Sequence, residues 1–334
     1  MGAIATVLDY KVSGETTSHP IMGPAYYNSF LDTTGISSTK NARLTITLRI
    51  GMCQIAPGTE IDGMAIWKKG ATNGIVKNLW HDNWVPCIEW NDASYNQFCA
   101  SVKKEAESFW SSTSTEWGNK GITLINISKE WDGLNVPLGI NSTHQVNVEC
   151  DFHIEWAPNT ASSHILIYAA RLPDGASKIC SYMTPGTTNR TGVGFLSTGS
   201  LTLDKTGMCS NKLSNGRCSS NAVVAHEIGH ALGLPHVGLM TAGSTCYRDM
   251  EGGTLDKILH TLGLTGYDGN RDSCYKGESA ADAQNVMGMG STISLQNVNP
   301  WWLRIAQHTH TKPGDWVVAM DRRPPIEIAR FNKL

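Results

Sequence analysis

Residues 226–236 read HEIGHALGLPH, and the spacing is suited to chemistry. On a helix, His226 and His230 stand one turn apart on one face. Two imidazoles so placed can hold one zinc ion, each at about 2.0–2.1 Å. Glu227 leaves that face but can reach water at the metal as a general base. A catalytic zinc needs a third protein ligand and an open position. One more helical turn would bring Leu234, which cannot ligate. The punctuation offers another route. Gly233 can take the left-handed conformation that ends a helix. Pro235 bars helical continuation and biases Leu234 to extended backbone. The chain then turns, and His236 can swing beneath the metal. A lone pair of histidines four apart is often two surface or core side chains. Three histidines, a glutamate and a glycine at these spacings arise by chance less than about once in ten thousand chains of this size.

The string resembles the HExxHxxGxxH zinc signature of the metzincin metallopeptidases. That clan also carries a tight turn whose methionine lies under the metal site. Asn285-Val286-Met287-Gly288 resembles it, 51 residues after His236. Met289 is a second candidate, while Met240 leaves too little chain for the intervening loop. Val237 matches none of the better-known subfamily markers, and no tyrosine stands two residues after Met287. The gap to the turn also exceeds that of matrixin-like members, so the resemblance reaches the clan and not a subfamily. It implies an α+β fold: a twisted mixed sheet with a backing helix, a zinc-binding active-site helix, and an irregular lower part ending in a C-terminal helix. It further implies that a peptide substrate lies extended along an exposed strand edge. That edge is expected within residues 164–204.

The elements that must position these groups are partly legible. Leu44, Ile46, Leu48 and Ile50 alternate with Arg43, Thr45, Thr47 and Arg49, which predicts a half-buried strand. Val146 through Trp156 alternate in the same way. Residues 121–127 and 164–172 read as strands, and residues 192–204 as one or two short ones. Tyr95, Phe98, Cys99, Val102, Ala106, Phe109 and Trp110 recur at helical steps, with Asp92 as cap. The zinc helix is expected to start near Ser219–Asn221. Asn299 and Pro300 open a last helix running to about His308. Residues 51–90, with four Trp, resist ordering. His308 and His310 read as a polar surface strip, and His153 as a wet-face residue without a role.

The chain has 334 residues, 27 basic and 29 acidic, for a formal charge of −2. So even a balance argues against a nucleic-acid partner, which needs a basic face. No apolar run approaches the ~20 residues of a membrane span. At 40% hydrophobic content the chain is not disordered. Three segments are expected: an N-terminal extension over 1–40, an upper catalytic part over 41–236, and a lower part over 237–334. The extension could act as a latency segment through a carboxylate such as Asp32.

Nine cysteines without a CxxC pair point to disulfides and an oxidising compartment, with reduced thiols as the alternative. Cys209 and Cys218 are the easiest staple to imagine. The N-terminus MGAIATVLDYK has no signal-peptide pattern. The expectation is therefore a secreted form whose signal is gone, or delivery by a dedicated secretion machine. Asp268, Asn270 and Asp272 have the opening spacing of a calcium loop. Ser273 and Ser279 stand where glycine and glutamate belong, so a solvated turn is expected, with Ca2+ in another geometry as the alternative.

These readings converge on a zinc-dependent endopeptidase. His226, His230 and His236 hold Zn2+, Glu227 is the general base, Met287 forms the turn beneath, and Gly233 breaks the helix. The alternatives are a toxin or effector protease of narrow substrate range, and a non-catalytic metal-containing binding protein.

Overall fold

The alternation from Arg43 to Ile50 lies in the strand at the centre of a nine-stranded mixed sheet. A computed structural model describes residues 4–11, 25–61, 64–69, 74–78, 83–111, 117, 121–127, 135–137, 142–174, 181–186, 191–203, 206, 222–237 and 279–329. The sheet strands are β1 (Ile4–Lys11), β2 (Tyr26–Asp32), β3 (Ala42–Gln54), β4 (Thr123–Asn126) and β5 (Val148–Trp156). They continue with β6 (Ile165–Ala170), β7 (Tyr182–Thr184), β8 (Gly192–Ser197) and β9 (Trp316–Ala319). The main order is β7-β8-β6-β3-β5-β4-β9. Strands β5, β3, β6 and β8 run parallel, while β4, β7 and β9 are antiparallel to their neighbours. In register, Val148 lies beside Ala42 and Trp156 beside Ile50. Few helices among the described residues accompany this mixed sheet, which is compatible with an α+β architecture.

Parallel neighbours need a crossover. Between β3 and β5 that crossover carries helix α1 (Asp92–Trp110). Its cap is Asn91, one residue earlier than expected. The Asn91 side chain accepts from Ser94 N at 2.8 Å in a capping box. Phe98, Val102, Ala106, Phe109 and Trp110 bury against Leu44, Ile46, Leu48 and Ile50 in one core. Their common face is what the apolar spacing predicts.

Residues expected to form a loose N-terminal extension instead add strands. β2 pairs with β3 from Asn28↔Thr47 to Asp32↔Arg43, and β1 pairs with β2. Ala25, Tyr27 and Leu31 are fully buried. The Ser/Thr/Gly-rich composition of the span as a whole masked two strands whose apolar residues do not alternate strictly with polar ones. The lower part is also less separate than expected. Its β9 joins β4, and the Asp321 carbonyl accepts from Thr123 Oγ1 at 2.7 Å.

The span 51–90 extends β3 and then forms a hairpin (Glu60–Ile61 with Met64–Ala65) and a three-stranded meander (67–69, 74–78, 83–87). Ile55, Ile66, Trp67, Val76, Val85 and Cys87 gather there in a second core with Leu172 and Phe195. Strands at 135–137, 142–145 and 326–329 make a further small sheet.

Helix α2 (Val223–Ala231) carries His226, Glu227 and His230. Helix α3 (Ala280–Gln284) and helix α4 (Asn299–Thr309) follow. The last helix starts at Asn299 with Val298 at the cap, one residue earlier than a cap at Asn299 would give, and Pro300 lies in its first turn. His308 is not on a polar strip. It is buried in α4 with Nε2 3.0 Å from Ser29 Oγ. Burial and the nearby Arg304 push its pKa down to about 4.

No helix among the described residues is long and apolar enough to cross a membrane. Cys53, Cys87, Cys99 and Cys150 are free thiols. The other five cysteines, the Cys209–Cys218 staple and the Asp268–Asp272 loop lie outside the described residues.

Candidate metal centre

Helix α2 ends where its sequence says it should. Gly233 takes φ +85°. Its N–H donates to His230 O and the Leu234 N–H to Gly229 O, both at 2.9 Å. This is a Schellman closure, which favours a residue without a Cβ at the left-handed position. The closure also turns the Leu234 carbonyl back toward the helix, 2.8 Å from His230 Nδ1. His236 then follows outside the helix.

The three imidazoles converge. His230 Nε2 lies 3.1 Å from His226 Nε2 and 3.1 Å from His236 Nε2. All three ligand atoms fall within 4.8 Å of one another. Around a common centre at 2.0–2.1 Å, a 3.1 Å chord subtends roughly 100°, close to tetrahedral.

The protons decide what this cluster wants. His226 Nδ1 faces Val286 O at 2.6 Å and His230 Nδ1 faces Leu234 O at 2.8 Å. A carbonyl only accepts, so each Nδ1 carries the ring proton and each Nε2 presents a lone pair. Two lone pairs 3.1 Å apart call for a cation between them. Burial lowers the pKa of His226 to about 4, and burial and the neighbouring rings lower that of His230 well below the usual value. The His226 and His230 rings therefore stay neutral at ordinary pH, the form that can ligate a metal. The donor set fits a divalent metal, and these Nδ1 contacts are of the kind that orient metal-bound histidines.

Glu227 is buried, and its Oε2 has no hydrogen-bond partner among the described residues. Desolvation raises its pKa to about 8. A carboxylate in that state holds or takes a proton readily.

Residues 286–289 form a turn packed against α2. Met287 is buried with Sδ against Gly229, while Met289 is 45% exposed. Val286 O holds the His226 ring, and Met287 O accepts from Val237 N at 2.9 Å, beside His236. The turn thus grips both ends of the ligand string. Trp110 fixes the helix from behind. Its Nε1 donates to Ala225 O at 3.1 Å, and its ring stacks on Trp301 at 6.0 Å.

Strand β7 ends the sheet and packs against α2. It lies within the expected span of 164–204, but three residues, Tyr-Met-Thr, leave no period to read. The Val286 carbonyl also escaped the sequence reading, because backbone ligand partners carry no residue-type signal. Asn285, two residues before a buried amide, did carry an Asx-turn signal.

No protein-family model matches the chain, and no curated protein or solved structure matches it either.

Proposed function

We propose that this chain is a zinc-dependent endopeptidase of the metzincin kind. The observation that carries the reading is the convergence of three imidazole Nε2 atoms, two of them from the helix that also carries the buried Glu227, whose Oε2 has no hydrogen-bond partner among the described residues. A structural zinc site closes with four protein ligands, whereas a catalytic one keeps a position open. Here the described residues offer three donors, and Glu227 directly follows the first of them on α2. Zinc bound there supplies Lewis acidity, acidifying water and polarising a carbonyl.

Glu227 takes the proton of the attacking water at a carboxylate oxygen and hands it to the departing amine. A divalent cation bound beside it would favour the ionised carboxylate that this task needs. His226 and His230 keep their lone pairs inward because Val286 O and Leu234 O hold their outer protons. The peptide lies extended along β7, the terminal strand beside α2, pairing main chain to main chain.

A peptide-library digest tests this reading. Cleavage should appear, stop with a chelator and return with zinc. Glu227→Ala should keep the metal and lose roughly 10²–10⁴-fold in rate. A Glu227→Ala protein that cleaves like the parent would overturn the mechanism.

A further inference from the structure

We infer that Asn285 is a positioning residue for the metal centre, aiming the Val286 carbonyl at His226 by holding the other end of the same peptide unit. The inference rests on the metal-centre reading and is independent of peptidase activity.

The lever is one peptide plane. Val286 C=O and Met287 N–H belong to a single planar trans unit, so they point in opposite directions and turn together. At one end, Met287 N–H donates to Asn285 Oδ1 at 2.8 Å. At the other, Val286 O receives the His226 Nδ1 proton at 2.6 Å. Fixing the amide therefore fixes the carbonyl, and the carbonyl fixes the ring.

Asn285 is itself anchored on several sides. It is 2% exposed. Its Nδ2 donates to Ser294 Oγ at 2.8 Å and to Asn297 Oδ1 at 3.0 Å. Its backbone N–H donates to Asp282 O, and its carbonyl accepts from Gly288 N and Gly290 N. Both side-chain functions are thus engaged between α3 and the segment leading into α4. An aspartate would keep the acceptor toward Met287 but present an oxygen to Asn297 Oδ1. An alanine would free the plane.

Zinc titration and cobalt(II) absorption, read beside the melting temperature, test the inference. Wild-type protein should bind one equivalent of either metal; if it binds neither, the metal-centre reading itself fails. Asn285→Ala should weaken zinc binding about 10–100-fold and shift the cobalt bands. Asn297→Ala is the control, because it loosens the same cluster without touching Met287 N–H. At a comparable fall in melting temperature it should hold zinc within about twofold of wild type. If Asn285→Ala does not fold, Asn285→Asp decides: it should melt lower yet keep wild-type zinc affinity. Wild-type affinity and cobalt bands in Asn285→Ala, or weak zinc binding in folded Asn285→Asp, would overturn the assignment.

Discussion

Gly229 and Met287 share a space that holds only one side chain: a Cβ on Gly229 would lie 2.3 Å from Met287 Sδ. Trp110 closes the other side, with Cζ2 at 3.3 Å from the same point. The middle of the ligand helix is therefore seated on the turn below it, and glycine is what lets it sit.

Gly229→Ala should accordingly be destabilising despite alanine's better helix propensity. Overpacking of this kind costs about 1–3 kcal/mol. Thermal melts should show the loss, and Met287→Ala in the same chain should recover part of it. Additive losses in the double variant would contradict the shared-space account.

Gly233→Ala forces a Cβ into left-handed backbone and to 3.0 Å from Ala25 Cβ. A cost of about 1–2 kcal/mol is expected from the backbone alone. Because Gly233 sets the Leu234 carbonyl that holds His230, zinc affinity should fall as well. Unchanged melting and metal binding would show that the helix stop does not depend on glycine.

Glu105 predicts a pH effect away from the metal. It is buried in α1, with Oε2 accepting from Thr202 N at 2.9 Å and Leu203 N at 3.2 Å. Burial outweighs those bonds and raises its pKa from 4.5 to about 7. The folded state thus keeps a proton that the unfolded state has lost. Stability from this group is full below pH 4.5 and fades as pH rises to 7, by about 3 kcal/mol. Denaturant melts across that window should show the fall, and Glu105→Gln should remove this component. A slope identical in the variant would contradict the assignment.

The N-terminal strands make a different prediction from a latency segment. Arg304 in α4 donates to Tyr27 O at 2.6 Å, and its guanidinium stacks on the Tyr27 ring at 4.5 Å. A chain beginning at residue 33 would expose the β3 edge and strip that carbonyl from a buried cation. It should lose cooperative unfolding by circular dichroism. A shortened chain that melts normally would restore the extension reading.

Legibility followed periodicity and motif length. β3 and β5 alternate over nine or more residues and α1 buries a continuous stripe, so pattern alone located them. The ligand string and its glycine stop were legible because each residue type had a geometric task. Elements of two to five residues, such as β7 and the meander strands, are too short to show a period. Gly229 fell in a variable position of the motif, and its need arises from Met287, 58 residues on. His308 reads as wet because its type suggests exposure, and nothing in the type of Glu105 points to burial either. Only the folded partners, Ser29 for one and the Thr202–Leu203 amides for the other, show why they are buried. β9 joins β4 across about 190 residues, a pairing that no local pattern encodes.

Metal stoichiometry tests the central claim most directly. Protein prepared without chelator and assayed by elemental analysis should carry one zinc per chain. Alanine at His226, His230 or His236 should each weaken equilibrium zinc binding by more than about a hundredfold, beyond what loss of an orienting contact causes. A wild-type chain that takes up no zinc, or a triple-alanine chain that binds it equally well, would contradict the account.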